Sequence, residues 1–296
     1  MSSSDFRIPN SMLTTNSVNA LQKSFSKLAD LQNEASSLKR ITKPSDAPAD
    51  TVSAMQLHAG LDRNDQYTRN LSDAQGWLGN ADNALTSTVT QLQQVNDLVV
   101  QASNSSLDAN ARAGIAAQID SIRSQIIGLA NTTYAGRPIF AGTASGTVAY
   151  DANGQYVGVS APVDRNIAPG QRIQVNVNGD TVFGQPGSDL FTTLSQISNA
   201  VRNDPSQLNT LQTQLGTQTT QVQGQLALVG SQFSRVQSVQ NQNTSDGLTM
   251  KQNLSSIEDA DVAEVMVNLQ AQSVAYQAAL SATAQAITPS LTDFLK

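Results

Sequence analysis

The sequence predicts a mainly α protein: an elongated antiparallel coiled-coil helical bundle drawn from both chain ends, carrying a small β insert domain. Three observations point there. Apolar and small residues recur in alternating steps of three and four over long stretches on either side of a Gly- and Pro-rich middle. Inside that middle, short runs alternate with the two-residue period of strands. Finally, only 14% of the 296 residues are charged, against about a quarter in an ordinary globular protein. Uncharged polar side chains suit a surface that other subunits will cover, because burying an unpaired charge is costly.

The first helix carries Val18, Leu21, Phe25 and Leu28, then Leu31, Ala35 and Leu38, and the stretch from Ile8 to Gln22 has no charged side chain. A break follows in SLKRITKPSDAPAD, Ser37 to Asp50. Pro44 pushes Lys43 out of helical geometry, Ser45 or Asp46 can cap the next helix, Pro48 fits its first turn, and Asp50 suits its positive end. Lys39, Arg40 and Lys43 can meet acidic groups of a neighbouring subunit or face solvent.

Beyond this elbow the pattern Leu71, Ala74, Leu78, Ala81, Leu85, Thr88, Leu92, Val95, Val99, Ala102 predicts a long rod helix. A second rod starts after Asp108, a cap or first-turn acid, with Ile115, Ile119, Ile122, Ile126 and Leu129 in register. From about Thr133 to Gly187 the periodicity shortens. Tyr150 to Tyr156 reads as a turn between two strands, and Ile173, Val175 and Val177 alternate ahead of Asn178-Gly179, a hairpin signal. A helix from about Ser188 places Leu190, Leu194, Ile197 and Val201 on one face until Asp204-Pro205 ends it. The last rod runs through Leu208, Leu211, Leu215, Val222, Leu226, Val229, Phe233 and Val236.

The C-terminal helix presents Val262, Met266, Leu269, Ser273, Tyr276, Leu280, Thr283 and Ile287 until Pro289 stops it. The 28 residues from Val265 to Thr292 carry no charge, yet eleven are Asn, Gln, Ser or Thr and no unbroken apolar run exceeds three. A membrane-spanning helix needs about 20 predominantly apolar residues, so no span is expected. Both terminal helices instead read as coiled-coil halves that sister copies shelter, gaining order as those copies supply contacts. The expected division is an N-terminal coiled-coil helix (1-42), a first rod segment (43-132), the β insert (133-187), a second rod segment (188-256) and a C-terminal coiled-coil helix (257-296).

Catalysis finds little to work with. The chain has no cysteine and one histidine, His58, on a helical pattern, which leaves no metal cluster, thiol nucleophile or assembled triad legible, and no cofactor site. Glu258, Asp259, Asp261 and Glu264 resemble paired catalytic carboxylates, but acids at the start of a helix serve its dipole. The net charge of -6 argues against nucleic acid. Trp77 and Tyr276 read as packing residues. The opening residues lack the basic cluster and apolar run of a cleavable secretory signal.

Three stretches carry a family resemblance. SLKRITKPSDAPAD resembles the SGKR-[IV]-x-x-PSDDP signature of bacterial hook-associated proteins, with Leu38 in place of the Gly and Ala47 in place of the second Asp. NLSSIEDADVAEVMVNLQAQSVAYQAAL, Asn253 to Leu280, resembles the C-terminal signature of the flagellin superfamily, and NTTYAGRPIFAGT, Asn131 to Thr143, is similar to the N-T-x-x-x-G-x-x-I-F-A-G stretch of its hook-filament junction members. The resemblance implies a structural, non-enzymatic subunit of the extracellular flagellum. Such subunits self-associate in a ring between the hook-side junction protein (hook-associated protein 1) and flagellin. They are exported by the flagellar type III apparatus without signal cleavage, after a flagellar export chaperone binds the C-terminal helix. The insert then faces outward. On this reading Val18, Leu21, Phe25, Leu28, Val262, Met266, Leu269, Tyr276, Leu280 and Ile287 form the assembly and partner seam, and Lys39, Arg40, Pro44, Ser45, Asp46 and Pro48 the interdomain elbow. The alternatives are a flagellin filament subunit or, from another class, a helical signalling or binding module.

Overall fold

The computed structural model describes residues 10–104 and 107–287, with the backbone alone at 10, 11, 13, 14 and 285–287. It is mainly α with a small β insert, and the chain divides into two compact units, Met1–Asp62 with Gly247–Lys296, and Arg63–Asp246. The described elements run α1 (Asn10–Ser37), α2 (Pro48–Ala102), α3 (Ala109–Ala130), β1 (Thr133–Tyr134), β2 (Arg137–Pro138), β3 (Asp164–Ala168), β4 (Gln171–Gln174), α4 (Gly179–Phe183), α5 (Leu190–Asn203), a 3₁₀ turn (Pro205–Gln207), α6 (Leu208–Glu258) and α7 (Val262–Ile287). No helix among the described residues is long and apolar enough to cross a membrane.

The second unit has a conventional core. Within it α2 and α6 run antiparallel: Asn64 hydrogen-bonds Asn243 and, further along α2, Asn96 accepts from Gln212. Their seam is the heptad register expected from the sequence, with Leu71, Leu78, Leu85, Leu92, Val222, Val229 and Val236 fully buried. Gln218 fills the polar position between Leu215 and Val222 and donates to Thr193 Oγ1 and the Ser188 carbonyl. Asp108 caps α3, accepting from Ala111 N at 2.6 Å, and the α3 isoleucines 115, 119, 122 and 126 are buried. Asp189 caps α5 in the same way, and Ser198 and Arg202 tie α5 to Ala116 O and the Asp120 carboxylate of α3.

The insert surrounds an aromatic cluster. Tyr150 packs against Phe191, Phe183 and Tyr156 at centroid distances of 4.9, 5.5 and 5.3 Å, and Phe140 meets Phe183 edge-on. The Tyr150 hydroxyl is buried without a hydrogen-bond partner, and burial pushes its pKa above the ordinary 10. Tyr150 and Tyr156 bridge as an antiparallel pair, as the turn between them requires. The Asn131 side chain at the end of α3 accepts from Ala149 N and Tyr150 N and donates to Tyr150 O, so it pairs with the insert as a strand backbone would.

One expectation fails here. Asn178-Gly179 is not a hairpin turn; the hairpin is β3–β4, which closes at Pro169-Gly170 with Gly170 at φ 70°. Asn178 instead precedes α4, its Oδ1 accepts from Asn176, and Gly179 N donates to Phe140 O. The glycine is needed for space rather than for a turn: a Cβ there would come within 2.8 Å of the Tyr150 hydroxyl and of a Tyr156 ring carbon.

Candidate assembly surface

The first unit is built differently. Among its described apolar side chains only Ala54 and Val265 are buried. Helices α1 and α7 lie antiparallel, since Gln272 reaches Ser24 O and Oγ, while nearer the α1 C-terminus Lys39 reaches Asp259. Both helices are formed along their described length. What a single chain leaves thin is their packing.

The inward positions of α1 are Ser17, Leu21, Ser24, Leu28, Leu31 and Ala35, and those of α7 are Val265, Leu269, Gln272, Tyr276, Ala279 and Thr283. Each set alternates steps of four and three, the spacing of a two-helix seam. Of the seam residues picked from the sequence, Leu21, Leu28, Leu269 and Tyr276 are half-buried in this pair. Val18, Phe25, Val262, Met266 and Leu280 are exposed, although the Phe25 ring still lies 5.8 Å from that of Tyr276. The Ile287 side chain is outside the described residues. Sequence phasing missed Val265, Ser24 and Gln272, because it followed the largest apolar side chains and these helices carry such side chains on more than one face.

That second face is substantial. Met266, Val267, Gln270, Ala271 and Val274 line an open apolar depression on α7, with Met266 55% and Val267 69% exposed. Val18, Leu21, Gln22, Phe25, Ser26 and Tyr276 line another where α1 meets α7. Isolated exposed apolar residues are ordinary; contiguous ones mark interaction surfaces.

The elbow closes the other end of this pair. Helix α1 ends at Ser37, and Leu38 follows with φ 55°, the left-handed conformation that usually belongs to glycine at a helix C-terminus. The reversal lets Lys39 bridge Asp259 as an antiparallel backbone pair, with Arg40 N donating to Glu258 O and Ala260 N to Leu38 O. Lys39 Nζ lies 2.6 Å from Asp259 and 3.3 Å from Glu258. The Arg40 guanidinium donates twice to Ile257 O and once to Asp50, which links the last turn of α6 to the first turn of α2. Lys43 reaches Asp30 on α1. His58 Nε2 is 2.8 Å from Glu258 Oε1.

Two sequence readings change at this point. Neither Ser45 nor Asp46 caps α2: Thr51 N bonds the Ala47 carbonyl, and Pro48 opens the helix. Asp46 instead turns back and accepts from Thr42 N, Thr42 Oγ1 and Lys43 N. Those bonds, that from Lys43 first, hold its carboxyl below the ordinary 3.8. Pro44 lies between Lys43 and Asp46, so the tight loop suits the one residue there that offers no N–H. Likewise Glu258 and Asp259 are not first-turn acids. Glu258 ends α6, where the dipole disfavours an anion, and Lys39 and His58 supply the compensating partners. Asp261 does cap α7, accepting from Ala263 N and Glu264 N.

Comparison with known proteins agrees with this layout. The model of the bacterial flagellin N-terminal helical region matches residues 8–145, and that of the flagellin C-terminal helical region matches residues 212–295. The chain is 32% identical over 165 residues to flagellar hook-associated protein 3 of Escherichia coli, which covers 55% of this chain and 49% of that one. It is 29% identical over 197 residues to flagellar hook-associated protein 3 of Salmonella typhimurium, which covers 66% and 59%. The matched region thus spans about half the length of these curated relatives. A putative flagellar hook-associated protein of Vibrio parahaemolyticus shares the fold, with a TM-score of 0.67 and 19% identity over 72% of this chain and all of that one.

Proposed function

Because the chain belongs to the bacterial flagellin family, we propose that it is a structural subunit of the flagellum that joins hook to filament. The observation that carries this reading is the first unit's want of a core: its helices pair along a seam containing Ser24 and Gln272, and leave Phe25, Met266, Val267 and Val274 outside it. A chain that shows this much apolar helix surface is built to have it covered. Hook-associated protein 3 is the name carried by the two curated relatives, which favours the junction over the filament itself.

On this reading the work done is mechanical and no substrate is turned over. Outward faces of α1 and α7 meet sister copies in a ring. The same α7 face serves a flagellar export chaperone beforehand, and the ring contacts hook-associated protein 1 on one side and flagellin on the other. The protein then reaches the extracellular flagellum through the type III export apparatus. The elbow, rich in hydrogen bonds rather than apolar packing, sets the direction in which α1 hands over to α2.

A deletion strain examined by electron microscopy tests the assignment. Hooks without filaments, with flagellin released to the medium, are expected; normal hooks bearing filaments would overturn the junction role, and loss of filament protein itself would indicate a flagellin. In the complemented strain, Met266→Asp and Val274→Asp should abolish incorporation while the purified variants keep the circular dichroism of the parent chain. Full motility from both variants would remove the α7 surface from the assembly.

A further inference from the structure

We propose that Asn153 is a site of spontaneous covalent modification, converted to aspartate and isoaspartate by water, and that Arg123 promotes the conversion. The sequence has two Asn-Gly pairs, Asn153-Gly154 and Asn178-Gly179, both in the insert. Glycine following asparagine leaves its backbone nitrogen unshielded by a side chain. That nitrogen can attack the asparagine Cγ, forming the N–Cγ bond of a five-membered imide while the Cγ–Nδ2 bond breaks and ammonia departs with the proton from the Gly N–H. Water then opens either carbonyl of the imide, yielding aspartate or isoaspartate. No oxidant or enzyme enters the balance.

Both glycines are buried, and the two pairs differ at the asparagine. Asn178 is half-buried, its Oδ1 accepts from Asn176 Nδ2, and buried Gly179 gives its N–H to Phe140 O under the rings of Tyr150 and Tyr156. Attack there would require the aromatic cluster to open. The Asn153 side chain is exposed at its turn. Gly154 is buried beside Phe191 and its N donates to Asp151 O within that turn, with φ 83°, so this bond must break to free the nitrogen.

Arg123 supplies the counterweight. Its guanidinium reaches from α3 to donate to Asn153 O while its Nε bonds Phe191 O. Asn153 O belongs to the same peptide group as Gly154 N, and an anion formed at that nitrogen delocalises onto that oxygen. A fixed cation on the oxygen therefore favours the deprotonated, nucleophilic amide. Asp151 faces the same turn, with its Oδ1 taken by Asn153 N and Gln155 N, and opposes the anion from the other side. The direct bond places Arg123 closer to the developing charge.

The experiment incubates the full folded chain in mildly alkaline buffer and follows both sites by peptide mapping and by isoaspartyl methyltransferase labelling. A denaturant-unfolded sample serves as internal reference, in which the two Asn-Gly pairs react alike. Folding should raise the ratio of modification at Asn153 over Asn178 by about tenfold or more, a barrier difference of about one hydrogen bond. Arg123→Gln should slow Asn153 toward an ordinary exposed turn, and Arg123→Lys, which keeps the charge, should recover part of the rate. A folded chain unmodified at Asn153 while the unfolded one reacts would overturn the site. An unchanged or faster rate in folded Arg123→Gln would overturn the role of the guanidinium.

Discussion

Lys39 Nζ stands 2.6 Å from Asp259 Oδ1, an ion pair between residues 220 apart in sequence that closes the first unit where α1 ends and α6 gives way to α7. The Lys39 bond, followed by one from Ser255, holds the Asp259 carboxyl below the ordinary 3.8, and the same pairing raises Lys39 above 10.5. An acid with a depressed folded pKa stabilises fully above its unfolded value and loses that contribution as pH falls through the folded one. The raised base contributes below 10.5 and loses its part as pH rises through its own folded value. The tie is therefore intact across neutral pH. Lys39→Met should lower the melting temperature at pH 7, and the gap between variant and parent should shrink as the buffer is taken below 3.8. A gap of undiminished size in acid would show that Lys39 acts through its hydrocarbon stem alone.

Leu38 holds a conformation that costs a branched side chain about 1 kcal/mol or more. It is 52% exposed, so little burial is lost on removing it. Leu38→Gly should stabilise the chain by up to about 1 kcal/mol, reduced by the greater freedom of glycine in the unfolded state. A urea midpoint that falls instead would show that the leucine side chain contributes packing worth more than the strain.

Asn64 and Asn243 face each other, both buried, between α2 and α6. Asn64 Nδ2 donates to Asn243 O and Oδ1, and Asn243 Nδ2 returns bonds to Asn64 O and Thr68 Oγ1. Asn64→Ala leaves the buried Asn243 Oδ1 without its donor and should cost about 1–3 kcal/mol. Replacing both with leucine should cost less than either single truncation, since apolar pairs suit this seam. Denaturant titrations of the three variants read this directly; additive losses would mean the two amides act independently.

Gly179→Ala places a methyl within 2.8–2.9 Å of the Tyr150 and Tyr156 rings. Overpacking of this kind costs about 1–3 kcal/mol. The near-ultraviolet dichroism of the aromatic cluster should weaken before far-ultraviolet helicity changes, and a variant matching the parent in both would show that the rings yield freely.

How much could be read from the residues alone depends on how many faces a helix has to satisfy. The α2 and α6 seam was legible because Leu71, Leu78, Leu85 and Val229 lie on one stripe with polar residues elsewhere, and Asp108 announced α3 by its chemistry. Helix α7 was legible as a helix but not in its orientation, because Val262, Met266 and Leu280 compete with Val265, Leu269 and Tyr276 and periodicity cannot say which set meets α1. Asn178-Gly179 carried a turn signal that the aromatic cluster overrode: sequence shows the small residue, not the rings it accommodates. Glu258 and Asp259 were read with the helix that follows them, since nothing local marks Glu258 as the last residue of α6. The partner that explains them, Lys39, lies at the other end of the chain.

Within the second unit the insert is moored by polar side chains of the helices and their ends: Asn70 to Asn166 O, Asp73 to Arg165, Arg123 to Asn153 O, Asn131 to Tyr150, Gln221 to Thr181 O and Gln218 to Ser188 O. A chimaera that exchanged the segment between Asn131 and Asp189 for a relative's would have to bring backbone acceptors and a cation to those same berths. Swapping the strands while leaving the moorings unanswered would strand a carboxylate and five donors, and the graft would come loose before its own interior failed.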